Sequence, residues 1–127
     1  ERMSGFIKGY VYSHTQFIVE EPEQNLFPET QCELMNYLLA SINHGKGHRM
    51  VLTTHSPYIL NQLNLLFKAF DKHATIDNAS LNYEDTNVYA IENGELRDLK
   101  VLNAHLIDPE YLVQFISSIY QQYVELG

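Results

Sequence analysis

Apolar and polar positions follow two different rhythms along this chain. Phe17-Ile18-Val19 and Met50-Val51-Leu52 are short apolar runs bounded by polar residues. Runs of this kind read as buried strands, predicted here over 16–20 and 49–54. Between them the period lengthens. Leu34, Met35, Leu38, Leu39 and Ile42 share one helical face, so 28–43 reads as an amphipathic helix that Gly45 ends. A second helix is predicted over 56–70, with Ser56 as cap, Pro57 in the first position, and Ile59, Leu60, Leu63, Phe67 and Phe70 turned inward. The strand–helix–strand order predicts parallel pairing. Residues 71–85 are polar and mixed and read as a weakly structured loop. Residues 88–91 and 96–99 flank Asn93-Gly94, a hairpin signal. Asp108 and Pro109 open a last helix whose stripe is Leu112, Ile116, Ile119, Tyr120 and Tyr123. Residues 5–14 read as a short helix or an irregular lead-in.

The first two strands end on chemistry. Gln16-Phe17-Ile18-Val19 leads into Glu20-Glu21-Pro22-Glu23, and the second strand leads through Thr53-Thr54 to His55-Ser56-Pro57. Carboxylates at the end of a buried strand are costly unless a cation or hydrogen bonds compensate them. Neighbouring side chains on a strand point to opposite faces, so adjacent acids need not serve one partner. One can hold a metal while the other orients a water, the division of labour that phosphoryl transfer requires. Catalytic-type side chains at the carboxyl ends of two parallel strands fit the ligand crevice of an open α/β sheet. The plain alternatives are solvent-facing glutamates and a structural histidine.

These segments together resemble the ABC-type ATPases, in particular the soluble branch with the RecF-like, SMC-like and overcoming-lysogenization-defect-like proteins. Residues 17–21 look like the Walker B strand. Glu21-Pro22-Glu23-Gln24-Asn25-Leu26-Phe27-Pro28 looks like the branch's EEPE run with its D-loop, and Thr53-Thr54-His55-Ser56-Pro57 looks like the switch-histidine motif. Residues 88–96 are similar to the strand–turn–strand that follows, so the likeness spans about 16–99. It implies Glu20 as the magnesium ligand, Glu21 as the catalytic glutamate that polarises the attacking water, and His55 as a contact to the γ-phosphate. Asn25 lies in the D-loop that crosses to the partner subunit, and Phe27 replaces the histidine often found before the proline. Glu23 belongs to the motif without assigned chemistry, and a helix-entry or interface role is expected of it. Met3-Ser4-Gly5 resembles the end of the signature loop, which touches the ATP of the opposite subunit. Ser4 and Gly5 are then nucleotide-binding, although only 15 positions separate Gly5 from Glu20, fewer than the family's intervening helix occupies.

Composition narrows the reading. The 127 residues amount to one domain at most, and a 45% hydrophobic share supports a core. A net charge of −8 without basic stripes excludes a whole-surface nucleic-acid footprint, leaving nucleic acid as an indirect partner. Cys32 is the only cysteine, so no intrachain disulfide forms and a cytoplasmic setting is expected. No apolar run approaches the ~20 residues needed to cross a membrane, and no signal-peptide pattern is visible. The phosphate-cradling G-x-x-x-x-G-K-[ST] is absent. Around Gly45-Lys46, Ala40 stands at the first glycine and Gly47 at the Ser/Thr, so residues 44–48 read as a loop.

The expectation is an α/β fold, the C-terminal lobe of a P-loop NTPase over 1–127, with a largely parallel sheet flanked by helices and a C-terminal hairpin and helix. The start at Glu1 fits a fragment or a processed chain. ATP and Mg²⁺ would both require an N-terminal lobe beyond these residues, and the chain alone is expected to be inactive. Its partners would be that lobe or a second ATPase head, as a homodimer in the full-length protein, with no membrane. Two other functions compete: a non-catalytic regulatory module, and a metal-dependent phosphoesterase using Glu20, Glu21, Glu23 and His55, for which no Asp-x-Asp signature is present. His14, His44, His48, His73 and His105 lack metal-ligand spacing and read as surface or packing residues. A parallel strand stripped of neighbours should leave an apolar face or edge bare, and the chain should then tend to self-associate.

Overall fold

The computed structural model describes residues 15–43 and 47–127. The expectations for Ser4, Gly5, residues 5–14 and Gly45 lie outside them. Strand β1 (Gln16–Glu20) pairs in parallel with β2 (Arg49–Thr53), with Phe17 opposite Met50 and Val19 opposite Leu52. Helix α1 (Pro28–Ile42) connects them. Helix α2 (Pro57–Asp71) follows, then a 3₁₀ turn (Tyr83–Asp85), the antiparallel hairpin β3 (Tyr89–Glu92) and β4 (Glu95–Asp98), and helix α3 (Pro109–Glu125). The fold is mixed α/β. Among the described residues the parallel sheet has two strands, and the other two strands are antiparallel. No described helix is long and apolar enough to cross a membrane.

The local signals explain the element ends. Ser56 accepts the Ile59 N–H at 3.3 Å and so caps α2, with Pro57 at the first helical position. Asn93 and Gly94 both have positive φ, 52° and 80°, the requirement of a tight two-residue hairpin turn. Packing then selects among apolar residues. Met35 and Leu39 of α1 meet Ile59, Leu63, Leu66 and Phe67 of α2 in the core, which Ala79, Tyr83, Ala90, Leu99 and Ile107 complete. Met50 and Leu52 bring the parallel sheet against this cluster. The sheet's other face is open: Ile18 and Val51, cross-strand partners, are 68% and 51% exposed.

Three expectations change. Phe70 is exposed, and Leu66, absent from the predicted stripe, is fully buried in its place, because the face of α2 runs through Ile59, Leu63, Leu66 and Phe67. Residues 71–85 are more ordered than their polarity implies. Ile76 and Ala79 exchange two backbone hydrogen bonds of 2.8 Å around Asp77 and Asn78, both at positive φ, and Ala79 and Tyr83 enter the core. Helix α3 forms where its cap and proline place it, yet Leu112 is buried while Ile116, Ile119, Tyr120 and Tyr123 are each more than half exposed. Nothing among the described elements packs over those turns.

Candidate functional site

Parallel pairing brings the ends of β1 and β2 to one edge. Glu20 pairs with Thr53, two residues before His55. The Glu21 N–H donates to the Thr53 carbonyl at 2.8 Å, and there the ladder stops. Glu21 has φ 43°, a left-handed value uncommon outside glycine, asparagine and aspartate. Strand alternation alone would send Glu20 and Glu21 to opposite faces. With its backbone turned, Glu21 brings Oε1 to 2.9 Å from His55 Nε2. Its other oxygen, Oε2, accepts the Gln24 side-chain amide at 3.1 Å. The pair is open, with the His55 side chain 87% exposed. An ion pair this exposed contributes at most about 1 kcal/mol of stability, so its proximity matters more as chemistry than as structure.

Glu20 lies on the bare face with Ile18. Among the described residues its carboxylate makes no hydrogen bond or ion pair and is free to take a hard cation. No group of three or more His, Cys, Asp or Glu gathers among the described residues to hold a metal by protein ligands alone. Asn25 is exposed at the end of the turn with φ 64°, a conformation asparagine tolerates. The turn is tied by Gln24 N–H to Glu21 C=O at 3.2 Å and Leu26 N–H to Glu23 C=O at 3.0 Å.

Two side chains without assigned chemistry join this turn to the β2–α2 junction. Glu23 Oε2 accepts the His55 backbone N–H at 2.9 Å. It does not cap α1, whose cap position is Phe27 and has no side-chain cap bond; its carboxylate instead sits at the entry to α2. Glu23 Oε1 is buried and has no well-formed hydrogen bond among the described residues. Burial pushes the Glu23 carboxyl up, but the N–H groups of His55 and of Glu23 itself, the Thr54 hydroxyl and the His55 charge outweigh it and hold the pKa below the ordinary value. Gln31, buried on α1, is the second tie. Its amide nitrogen donates to the Leu26 carbonyl at 3.0 Å, and its oxygen accepts the Ser56 hydroxyl. A polar residue one turn before Met35, in line with the predicted inner face of α1, was the available signal for Gln31.

The remaining described histidines lie away from this edge. His105 stacks on Tyr83 with ring centroids 4.7 Å apart, and its Nδ1 is 2.8 Å from Asp71. A hollow of about 440 Å³ lined by Thr15, Gln16, Gly47, His48 and Arg49 lies at the amino ends of the strands, the edge opposite Glu21. Its described lining residues include no carboxylate.

Comparisons with protein-family models, with curated proteins and with solved structures gave no match to this chain.

Proposed function

We propose that this chain is the C-terminal lobe of an ABC-type ATPase half-site. The observation that supports the reading best is the Glu21–His55 contact of 2.9 Å at the common carboxyl edge of two parallel strands. The two residues are 34 positions apart in sequence, and the motif resemblance names both independently. In this reading Glu21 orients the attacking water and accepts its proton. Gln24 holds the second Glu21 oxygen, leaving the first toward His55. The His55 imidazole, open to solvent, donates to the γ-phosphate of ATP. Glu20 is the magnesium ligand, since this cation keeps several waters and needs only one or two carboxylates beside the phosphates. Bound Mg²⁺ supplies charge neutralisation on the phosphates. Asn25, presented by its left-handed backbone, faces the second ATPase head, and the glycine loop that grips the phosphates comes from an N-terminal lobe.

The phosphoesterase alternative places Glu20, Glu21, Glu23 and His55 around a metal. Glu23 is instead engaged on the His55 backbone, which disfavours it.

The test is Glu21→Gln in the full-length protein. It keeps the side chain's shape and removes the charge. Turnover of Mg-ATP should fall by about 10²-fold or more, the lower range for losing a general base, while calorimetric ATP affinity stays within about twofold. A variant that hydrolyses ATP at the unmodified rate removes Glu21 from the catalytic role.

A further inference from the structure

We infer that Glu23 is a positioning residue, whose carboxylate holds the His55 backbone so that the imidazole meets Glu21. Its effect on turnover rests on the ATPase reading above, whereas the contact itself rests on geometry alone. Glu23 Oε2 lies 2.9 Å from the His55 nitrogen, and His55 Nε2 lies 2.9 Å from Glu21 Oε1. The two acids, separated only by Pro22, therefore grip the same histidine at opposite ends, one at its backbone and one at its ring.

The surroundings support an orienting role. Ser56 N–H donates to the Thr54 hydroxyl oxygen at 3.0 Å, which ties together the residues on either side of His55. The β2–α2 junction thus presents the His55 N–H to the Glu23 carboxylate. A hydrogen bond from N–H to a carboxylate is stronger and shorter than one to a neutral oxygen. The charge also has a cost, because Oε1 is withdrawn from water without a well-formed partner. A neutral acceptor would close the loop more cheaply. A carboxylate at this position suits a histidine that must be held firmly while its ring remains 87% exposed. An imidazole this exposed would otherwise sample several rotamers, and a fixed backbone limits where the ring can reach.

The experiment compares Glu23→Gln and Glu23→Leu with the unmodified chain, read by NMR and by turnover. Glutamine keeps one acceptor oxygen in the same shape, and leucine removes it. In the unmodified chain the His55 amide proton should resonate downfield and exchange slowly. Glu23→Leu should shift it upfield, speed its exchange at least about tenfold, as expected for a lost charge-assisted bond, and abolish the nuclear Overhauser contact between the His55 ring and Glu21. Glu23→Gln should recover part of each signal. In the full-length protein, Glu23→Leu should lower kcat about tenfold with KM within about twofold, and Glu23→Gln should lie between. A structural residue would change thermal stability without this split or the graded rescue. If both variants leave the His55 amide and the ring contact unchanged, the inference is overturned, whatever the turnover. If the NMR signals change as expected and the unmodified full-length protein does not hydrolyse Mg-ATP, the ATPase reading fails and the grip on His55 stands. If the ring contact is lost while kcat is unchanged, Glu23 is not a positioning residue for the reaction.

Discussion

Helices α2 and α3 begin alike and end differently. Each has a polar cap followed by proline: Ser56 accepts the Ile59 N–H, and Asp108 accepts the Glu110 N–H at 2.9 Å. Each continues as an amphipathic stripe. Helix α2 buries Ile59, Leu63, Leu66 and Phe67 against α1 and the segment that follows, whereas α3 buries Leu112 and leaves the rest of its stripe to solvent. Caps and prolines therefore decide where a helix starts, and the neighbouring elements decide whether its apolar face is worth anything. Helical stability in a folded chain comes mostly from that packing.

The two stripes should differ most in the cost of truncation. Phe67→Ala removes a fully buried ring and should cost about 3–5 kcal/mol, measured by urea unfolding. Ile119→Ala on α3 should stay within about 0.5 kcal/mol, the range of surface substitutions. Equal losses at the two sites would show that α3 is packed as tightly as α2.

The two caps differ in what they hold. Ser56→Ala loses both the Ile59 bond and the Gln31 tie and should cost about 1–2 kcal/mol, the upper part of the range for caps. Asp108→Ala loses the Glu110 bond and an exposed contact to Arg97 at 3.2 Å, and should cost about 0.5 kcal/mol. Amide hydrogen exchange should localise the second loss to α3, which opens separately from the core. A global loss from Asp108→Ala as large as that from Ser56→Ala would contradict this.

A smaller effect is expected with acid at the tie between the Glu23 turn and the start of α2. The folded Glu23 carboxyl lies below its ordinary value of 4.5, so the folded state binds its proton less readily than the unfolded state. Its stabilisation is full above the unfolded value and is lost as pH falls through the folded one. Melting temperature should decline less steeply below pH 4.5 in Glu23→Gln than in the unmodified chain. Parallel declines would mean that Glu23 has no favourable charge interaction.

The sequence made the elements legible because their signals are local. Asn93-Gly94, Ser56-Pro57 and Asp108-Pro109 each act within a few residues, and the hairpin and both helices begin within one residue of where those signals place them. The parallel pairing of 16–20 with 49–53 was legible from strand–helix–strand order, and with it the shared edge of Glu20, Glu21 and His55. Two kinds of information were not local. The burial of Leu66 over Phe70, and the exposure of Ile119, depend on which elements lie opposite. The contacts of Glu23 with His55 and Gln31 with Ser56 join residues 32 and 25 positions apart through side chains whose type names no partner. Polar residues can bond in many directions, and only the folded backbone selects one.

The left-handed backbone of Glu21 sets two selections against each other. At φ 43° a glycine would sit without the steric penalty that a side chain suffers. A library of this chain sorted only for resistance to heat or protease should therefore drift toward glycine at this position. One sorted for the chemistry of the carboxylate should retain glutamate and accept the loss. The two pools would separate at a single codon, and the extent of their separation would measure what this chain gives up in durability to keep an acid beside His55.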